Sequence, residues 1–226
     1  MYPCFMQRRI FFLCRDCLPG LPVKPDCLEE RNMKAQSMKT RKLTTLAMLA
    51  ALSIVLVWLI HFPIFPAAPY LEYDPADIPI LIGTFAFGPI AGLLITVIAA
   101  VVQGLTVSAG SGFYGIIMHT AATGTFVLTA GCIYKRRKTR GSAALGLACG
   151  VIAMTAVMVV ANLIITPIFL GVPVSAVKGL IVPFIIPFNL IKAGVNSIVT
   201  FILYKTVSRI IKSEGKTVDI TRETTK

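Results

Sequence analysis

Positive charge is missing from most of this chain. Of its 22 Lys and Arg residues, none lies within residues 43–134, and only Lys178 and Lys192 lie within residues 141–204. Charged residues of both signs make up 14% of the chain and hydrophobic residues 56%, whereas a soluble domain has about 25% charged residues. This composition excludes an ordinary soluble domain and indicates a protein that crosses a membrane several times.

Several catalytic signatures are also missing. The chain has only two histidines, His61 and His119, and therefore no His-Glu-x-x-His zinc motif. It contains neither a Gly-x-Ser-x-Gly elbow nor a Gly-x-x-x-x-Gly-Lys-Ser/Thr phosphate loop, so it cannot hydrolyse ATP by itself. A membrane-embedded enzyme, which would need a convergent acid, base or metal set, remains only as an alternative from another class, beside a lipid-embedded scaffold or small channel.

The hydrophobic runs predict an all-α integral membrane protein, a compact bundle of six transmembrane helices. A helix needs about 20 apolar residues to cross a hydrocarbon core about 30 Å thick. Gly88-Pro89 divides one long run into two short or tilted helices, because proline lacks an N–H and restricts the residue before it. The predicted spans cover residues 43–61, 78–107 (two helices), 114–134, 143–165 and 183–204.

The basic residues predict the orientation of this bundle. They form three blocks, which precede the first span, fill residues 135–140, and follow the last span. Lys and Arg accumulate in short cytoplasmic loops near anionic lipid headgroups, so the net charge of +12 indicates contact with the lipid bilayer and not with nucleic acid. With an even number of spans, both termini are predicted to be cytoplasmic.

The two ends of the chain differ from its apolar middle. Residues 1–37 are expected to be a cytoplasmic extension, disordered or upstream of the true start, since Met33 and Met38 each offer a start beside a basic block. Their single Cys-x-x-Cys pair, Cys14 and Cys17, has no second pair to complete a zinc site. Residues 38–212 are predicted to form the membrane domain, and residues 213–226 a polar cytoplasmic tail.

Polar side chains within the predicted spans are the candidate binding residues. Asn189, Lys192 and Asn196 lie near one face of the last helix, and Asn162, Gln103 and His119 could line the same cavity in a closed bundle. Each amide could equally form only an interhelical hydrogen bond. Lys192 could instead form a structural ion pair, with Asp77 as one partner, or extend to the outer interface.

Two further features each allow two interpretations. Glu72 and Asp74 are expected on a solvated, proline-rich outer loop, with Asp77 as a helix cap. Ala47 and Ala51 put two methyl groups on one stripe of the first helix. Such a stripe lets helices approach closely in lipid, either within the bundle or against another subunit.

Four short segments are informative when taken together. They are residues 73–79 (Tyr-Asp-Pro-Ala-Asp-Ile-Pro) followed by Gly83 and residues 87–89 (Phe-Gly-Pro), the stripe of Ala47 and Ala51, residues 162–167 (Asn-Leu-Ile-Ile-Thr-Pro), and residues 187–192 (Pro-Phe-Asn-Leu-Ile-Lys). Together they resemble the substrate-binding S components of energy-coupling factor (ECF) transporters, and most closely the riboflavin-specific RibU type. The resemblance covers residues 38–212.

The resemblance implies a vitamin receptor with a site near the outer face, capped by the loop between the first two helices. Asn162, Asn189 and Lys192 would hydrogen-bond the polar rim and ribityl chain of riboflavin, and Leu71 would pack on its ring. His119 stands where riboflavin-specific members more often have asparagine. A different vitamin or precursor, of the folate, pantothenate or thiamine type, is therefore the alternative ligand.

The resemblance also implies partners and a location. Family members reside in the plasma membrane and work with a membrane-embedded coupling subunit and two ATP-binding cassette subunits. Ala47 and Ala51 would contact the coupling subunit. Riboflavin would be the transported ligand, with no cofactor and no metal ion.

Overall fold

The computed structural model describes residues 25–66 and 71–223, with side chains described for Gln36 and for residues 40–66 and 71–204. The chain divides into two compact units, Met1–Thr44 and Thr45–Lys226. The elements in the described part are α1 Pro25–Leu59, β1 Phe62–Pro63, β2 Glu72–Tyr73, α2 Asp77–Phe87, α3 Pro89–Leu105, α4 Gly112–Arg136, α5 Arg140–Leu170, α6 Val174–Leu180, a π-helical turn Ile181–Ile185, and α7 Ile186–Glu223.

Four helical stretches of the described chain are long and apolar enough to cross a membrane. They are Thr40–Leu59 of α1, Gly112–Arg136, Arg140–Leu170 and the continuous run Val174–Tyr204. Helices α2 and α3 are apolar but have only 11 and 17 residues. At about 1.5 Å per residue they are shorter than a hydrocarbon core of about 30 Å. The helical membrane class is confirmed, whereas six complete crossings stay a prediction.

The break between α2 and α3 lies where the sequence predicts it. Gly88 has a φ of 101°, a conformation that favours glycine because it has no Cβ. Pro89 follows as the first residue of α3, where its missing N–H removes no helical hydrogen bond. The two residues together end one helix and begin the next.

The last two predicted spans have different bounds in the structure. Helix α5 continues through Pro167 to Leu170 and ends at Gly171, whose φ of 65° is left-handed. The final helical run begins at Val174 and not near Pro183. Pro183 lies within the π-helical turn, whose irregular hydrogen bonding accommodates a residue without an N–H. Proline therefore marks an irregularity in this run and not its start.

The main apolar core is formed by residues of α1 to α5 and α7, and α4 and α5 pack closely within it. A Cβ added to Gly150 would lie 2.4 Å from the Phe126 ring, and one added to Gly146 would lie 2.9 Å from the Ala130 carbonyl oxygen. Because glycine occupies both positions of α5, the two backbones approach closely along this interface.

A second, smaller apolar cluster fixes the loop between α1 and α2. Strands β1 and β2 pair antiparallel and close the base of this loop. Leu71 packs with Val177 of α6, Ile185 of the π-helical turn and Phe188 of α7. The Phe65 and Phe184 rings meet edge to face at 5.5 Å. The loop is therefore held against α6 and the beginning of α7, beside the cavity described below.

Candidate ligand-binding site

A cavity of about 890 Å3, including the open space at its mouth, lies within the helical unit Thr45–Lys226. Its walls come from the α1–α2 loop, α3, α4, α5 and α7. The polar lining residues are Glu72, Asp74, Gln103, Ser108, Ser111, Tyr114, His119, Thr123, Thr166, Asn189 and Lys192; the larger apolar ones are Leu71, Met118, Met154, Met158, Phe169 and Phe188.

Lys192 lies at the wall of this cavity and has a buried counter-ion. It is 7% exposed, and its Nζ lies 2.8 Å from Oδ2 of Asp74, which is 1% exposed. Of the alternatives for Lys192, the structural ion pair is present, but its partner is Asp74 and not Asp77, and the side chain does not extend to the outer interface. The expectation that Asp74 is solvated is wrong. The loop folds inward here, because a buried ammonium and a buried carboxylate are each costly alone and compensate each other.

Opposing influences act on the Asp74 carboxyl. Burial by itself would raise its pKa above the usual 3.8, but the charge of Lys192 and hydrogen bonds from Lys192 and the Ala76 N–H outweigh burial. The pKa of Asp74 is therefore lowered, and the group is a carboxylate at neutral pH.

Asp77 is buried as well, and it is not the helix cap that the sequence suggests. The N-cap residue of α2 is Ala76, and no side chain caps the helix. Asp77 accepts hydrogen bonds from Thr123 Oγ1 at 2.7 Å and from Asn196 Nδ2 at 3.0 Å. The first turn of a helix also favours a negative charge. Asp77 therefore ties α2 to α4 and α7.

Asn196 extends this network to the loop. Its Nδ2 also donates to the Asp74 carbonyl oxygen at 3.2 Å, and its Oδ1 accepts from the Tyr73 hydroxyl at 3.1 Å. Asn189, Lys192 and Asn196 do share one helix face as predicted. Only the first two line the cavity, because Asn196 is turned to the loop and α2.

Three buried polar atoms of the cavity-lining residues have no hydrogen-bond partner among the residues that the structure describes. They are Gln103 Oε1, His119 Nε2 and Asn189 Oδ1. The Asn189 amide donates through Nδ2 to the Ile185 carbonyl at 2.8 Å, and Gln103 Nε2 lies 3.5 Å from Asp74 Oδ2. Their NH2 groups are thus engaged and their oxygens are unpaired. Buried polar atoms are normally paired, so a bound molecule can complete these bonds.

Like Asn196, Asn162 is a candidate binding residue that does not line the cavity. It is fully buried, donates to the Met158 carbonyl at 2.8 Å and accepts from Thr166 Oγ1 at 2.9 Å. Thr166 and Met158 themselves line the cavity. The structure thus brings Leu71, Gln103, His119, Asn189 and Lys192 together at the cavity and leaves Asn162 one layer behind.

The cavity lining also includes Glu72, which the sequence suggests is only a solvated loop residue, and Ser108 and Tyr114, which were not predicted to bind a ligand. Glu72 Oε2 lies 2.6 Å from His61 Nε2 and accepts from Ser108 Oγ at 3.3 Å. These contacts link the end of α1, the α1–α2 loop and the α3–α4 turn. Ser108 lies in the Gly- and Ser-rich turn, which carries no binding motif, and Tyr114 follows that turn at the start of a predicted span. Only the tertiary structure brings Ser108 and Tyr114 to the cavity.

Within the described residues, no group of three or more His, Cys, Asp or Glu side chains is placed to hold a metal ion. The Cys14 and Cys17 pair lies outside the described residues.

Comparison with known proteins adds to this geometry. A model of the family described as ECF transporter, substrate-specific component, matches residues 41–204. The chain belongs to this family. It is 36% identical, with a TM-score of 0.68, to a solved structure of the S component of a bacterial ECF transporter, and the match covers 77% of this chain and 99% of that one.

Curated relatives of this S component carry riboflavin in their names. The chain is 35% identical to the riboflavin transporter RibU of Staphylococcus aureus over 79% of its own length and 96% of the relative. It is 33% identical to the riboflavin transporter FmnP of Bacillus subtilis over 74% of its own length and 92% of the relative. The family and the apolar helices make this S component a multi-pass protein of the cell membrane and a transporter subunit, as the sequence predicted.

The small-residue stripe of this S component is exposed. Ala47, Ala51, Val55 and Trp58 follow one another at helical spacing, and all four side chains are exposed. Helix α1 contacts the bundle through another face, on which Ala50, Ser53 and Val57 are buried. The face with the two alanines is therefore available to lipid or to another protein.

Proposed function

We propose that this S component binds riboflavin with high affinity and specifies its uptake by an ECF-type importer. The observation that carries the proposal is the cavity between the α1–α2 loop and α7, with its three unpartnered polar atoms. The names of the relatives at 33% and 35% identity support riboflavin as the ligand.

The chemistry of the lining suits a flavin. Riboflavin has an apolar dimethylbenzene edge, a polar pyrimidine edge and a hydroxyl-rich ribityl chain. Met118, Met154, Met158 and Phe169 offer apolar walls, while the polar lining residues lie on the α1–α2 loop, α3, the α3–α4 turn, α4, α5 and α7. A small-molecule site of this kind combines a mostly apolar surface with a few polar groups that fix the orientation.

We assign roles to the predicted residues on these contacts. Lys192, Asn189, Gln103 and His119 hydrogen-bond the polar parts of the ligand, and Leu71 packs on the ring from the cap. Asn162 contributes through Thr166, whose hydroxyl donates to its amide oxygen and which lines the cavity.

The assembly belongs to the same proposal. All six apolar helices cross the membrane, with both termini cytoplasmic and the cavity opening outward. The exposed face with Ala47 and Ala51 packs against the coupling subunit, and two ATP-binding cassette subunits supply the energy. The absence of charge from this face and its small side chains support close helix contact there.

His119 favours one alternative within the same family. An imidazole at a position where riboflavin-specific members more often have an amide changes the hydrogen bonds available to the ligand. Its Nε2 is one of the unpartnered atoms. A vitamin or precursor of similar size, of the folate, pantothenate or thiamine type, is therefore the second candidate.

The proposal is tested by purifying the protein in detergent and identifying the small molecule that accompanies it by mass spectrometry. We expect yellow protein that contains riboflavin, with flavin fluorescence that is quenched when bound and returns on denaturation. Ligand-free protein titrated with riboflavin should quench it with a stoichiometry of one. Colourless protein that ignores riboflavin but retains folate, thiamine or pantothenate would transfer the assignment to that vitamin.

A further inference from the structure

The Asp74 carboxylate holds two cavity-lining side chains at once. Its Oδ2 accepts from Lys192 Nζ at 2.8 Å and lies 3.5 Å from Gln103 Nε2, while its Oδ1 accepts from the Ala76 N–H at 3.2 Å. A single carboxylate of the α1–α2 loop thus contacts one residue of α3 and one of α7. With 1% exposure, it has no access to bulk water that could replace these contacts.

The carboxylate also determines which end of the Gln103 amide turns toward it. An ionised carboxylate can only accept hydrogen bonds, so the amide must turn its NH2 group toward Asp74. The amide oxygen, Oε1, is then buried without a partner on a residue of the cavity wall. If the carboxylate were absent, nothing among these contacts would prevent Gln103 from presenting its NH2 group to a ligand.

The same carboxylate fixes Lys192. The ammonium donates to Asp74 and lies 3.5 Å from the Glu72 carbonyl oxygen, which leaves donor capacity for a ligand. A lysine of this burial with no counter-ion would be strongly disfavoured in its charged form. The charge and the direction of Lys192 in the cavity therefore both depend on Asp74.

We propose that Asp74 is a positioning residue for ligand binding. It leaves the Gln103 oxygen unpaired on a residue of the cavity wall, where the Asn189 oxygen is also unpaired, and it holds the Lys192 ammonium beside them. This end of the cavity therefore recognises O–H and N–H donors of the ligand through acceptor oxygens, with one ammonium for an acceptor group. The inference rests on the proposed function, since the ribityl hydroxyls and ring imide N–H of riboflavin are such donors.

Double-mutant cycles on riboflavin binding test this role. The variants are Asp74→Asn, Lys192→Met, Gln103→Leu and the two pairs that contain Asp74→Asn, with affinity measured by quenching of flavin fluorescence in detergent. Asp74→Asn should weaken binding by at least about tenfold, since hydrogen bonds to charged groups are the stronger ones. When Lys192→Met or Gln103→Leu is already present, adding Asp74→Asn should weaken binding by no more than about threefold further, because the effects of coupled residues are not additive.

Asn189 supplies the matched control. It lines the same cavity, but its amide is held by the Ile185 carbonyl and not by Asp74. In an Asn189→Leu background, Asp74→Asn should still cause its full loss of affinity. If the effects of Asp74→Asn and Lys192→Met, or of Asp74→Asn and Gln103→Leu, simply multiply as in this control, Asp74 does not act through those residues and the inference is overturned.

Thermal unfolding of the ligand-free variants separates positioning from folding. Asp74→Asn alone leaves a buried ammonium unpaired and should lower Tm, whereas Asp74→Asn with Lys192→Met removes both charges and should restore much of it. Riboflavin binding should stay weak in the restored double variant. Recovery of binding together with Tm would mean that Asp74 only stabilises the fold. Wild-type protein that does not bind riboflavin would refute the proposed function first, before any variant is compared.

Discussion

At the scale of single residues, hydrogen-bond partners distinguish side chains that await a ligand from side chains that pack the bundle. Asn189, Ser197 and Thr200 of α7 each have a buried oxygen with no partner in the described part of the chain. Only Asn189 lines the cavity. An unpaired buried polar atom costs about 1–3 kcal/mol. A ligand can satisfy the Asn189 oxygen, whereas it cannot reach the two hydroxyl groups that lie outside the cavity wall.

This difference predicts opposite results for two substitutions on one helix. Asn189→Leu should weaken riboflavin binding by about tenfold, the equivalent of one hydrogen bond of about 1.4 kcal/mol. Thr200→Val, which removes an unpaired hydroxyl at nearly constant shape, should leave binding unchanged and leave the Tm equal or slightly higher. The measurements are fluorescence titration and thermal unfolding in detergent. Equal losses of affinity would remove Asn189 from the site.

The Asp74 carboxyl predicts a pH dependence of stability. Its pKa is lowered in the folded protein below the usual 3.8 of the unfolded chain. Its stabilising contribution is therefore complete above the unfolded value and is lost as the pH falls through the folded one. The Tm of ligand-free protein should lose this contribution only below about pH 4. The same acid scan on Asp74→Asn with Lys192→Met should show a smaller decline, and an identical decline would contradict the assignment.

The residue-scale errors have one physical origin. The sequence places Asp74 on a proline-rich loop with Glu72, where carboxylates are normally solvated, and so predicts no role for it. A structural ion pair is one of the alternatives that the sequence allows for Lys192, and the structure contains one, with Asp74. The partner is 118 residues away along the chain. Spacing along a helix reveals which residues share a face, but it cannot reveal which loop residue folds against that face.

At the scale of helices, the interface between α4 and α5 depends on two missing side chains. The Phe126 ring of α4 lies against Gly150, and the Ala130 carbonyl lies against Gly146. In lipid, helix association depends on such close packing. Apolar side chains gain little free energy by moving from lipid to a helix interface, because both surroundings are apolar. Any side chain at these positions must push the helices apart or displace the ring.

Gly150→Leu should therefore lower the Tm of the ligand-free protein, with a cost of about 1–3 kcal/mol or more from overpacking. Gly141→Ala is the control, because a Cβ there would meet nothing within 4 Å. It lies in the first turn of the same helix and should be neutral or slightly stabilising, since alanine favours helix over glycine. If both variants unfold at the wild-type temperature, the interface is looser than described.

The predicted helices differ from the observed ones where proline occurs. Gly88-Pro89 was correctly interpreted as a break, because glycine there permits a φ of 101° and proline begins the next helix. The predicted spans end before Pro167 and begin at Pro183, yet α5 includes the first proline and a π-helical turn within the last helical run includes the second. Proline only removes one hydrogen-bond donor, so packing on both sides can keep a helical run continuous through it.

At the scale of the whole molecule, the helical unit has an exposed apolar face that the cavity does not use. The exposed residues Ala47, Ala51, Val55 and Trp58 form it, and Trp58 is 73% exposed. Small residues on such a face allow another helix to approach closely. The face belongs to the proposed contact with the coupling subunit, separate from the residues that line the cavity.

Ala47→Trp should abolish ATP-driven riboflavin uptake by the assembled transporter and leave riboflavin binding by the isolated S component intact. A large ring on the small-residue stripe would prevent close helix contact without reaching the cavity. Ile152→Trp is the matched control, because Ile152 is 68% exposed on α5, outside this face. It should preserve both activities. Loss of riboflavin binding in Ala47→Trp would instead mean that the stripe packs the bundle itself.

The sequence by itself determined the membrane class, the positions of most apolar helices, the break at Gly88-Pro89 and the polar face of the last helix. These properties follow from composition and local spacing, which act within a few residues of the chain. Only the tertiary structure decided that Asp74 pairs with Lys192, that Asn162 lies behind the cavity wall, and that the oxygens of Gln103 and Asn189 remain unpaired. These three outcomes depend on contacts between residues that are distant in the sequence, because a buried polar side chain orients toward the nearest available hydrogen-bond partner.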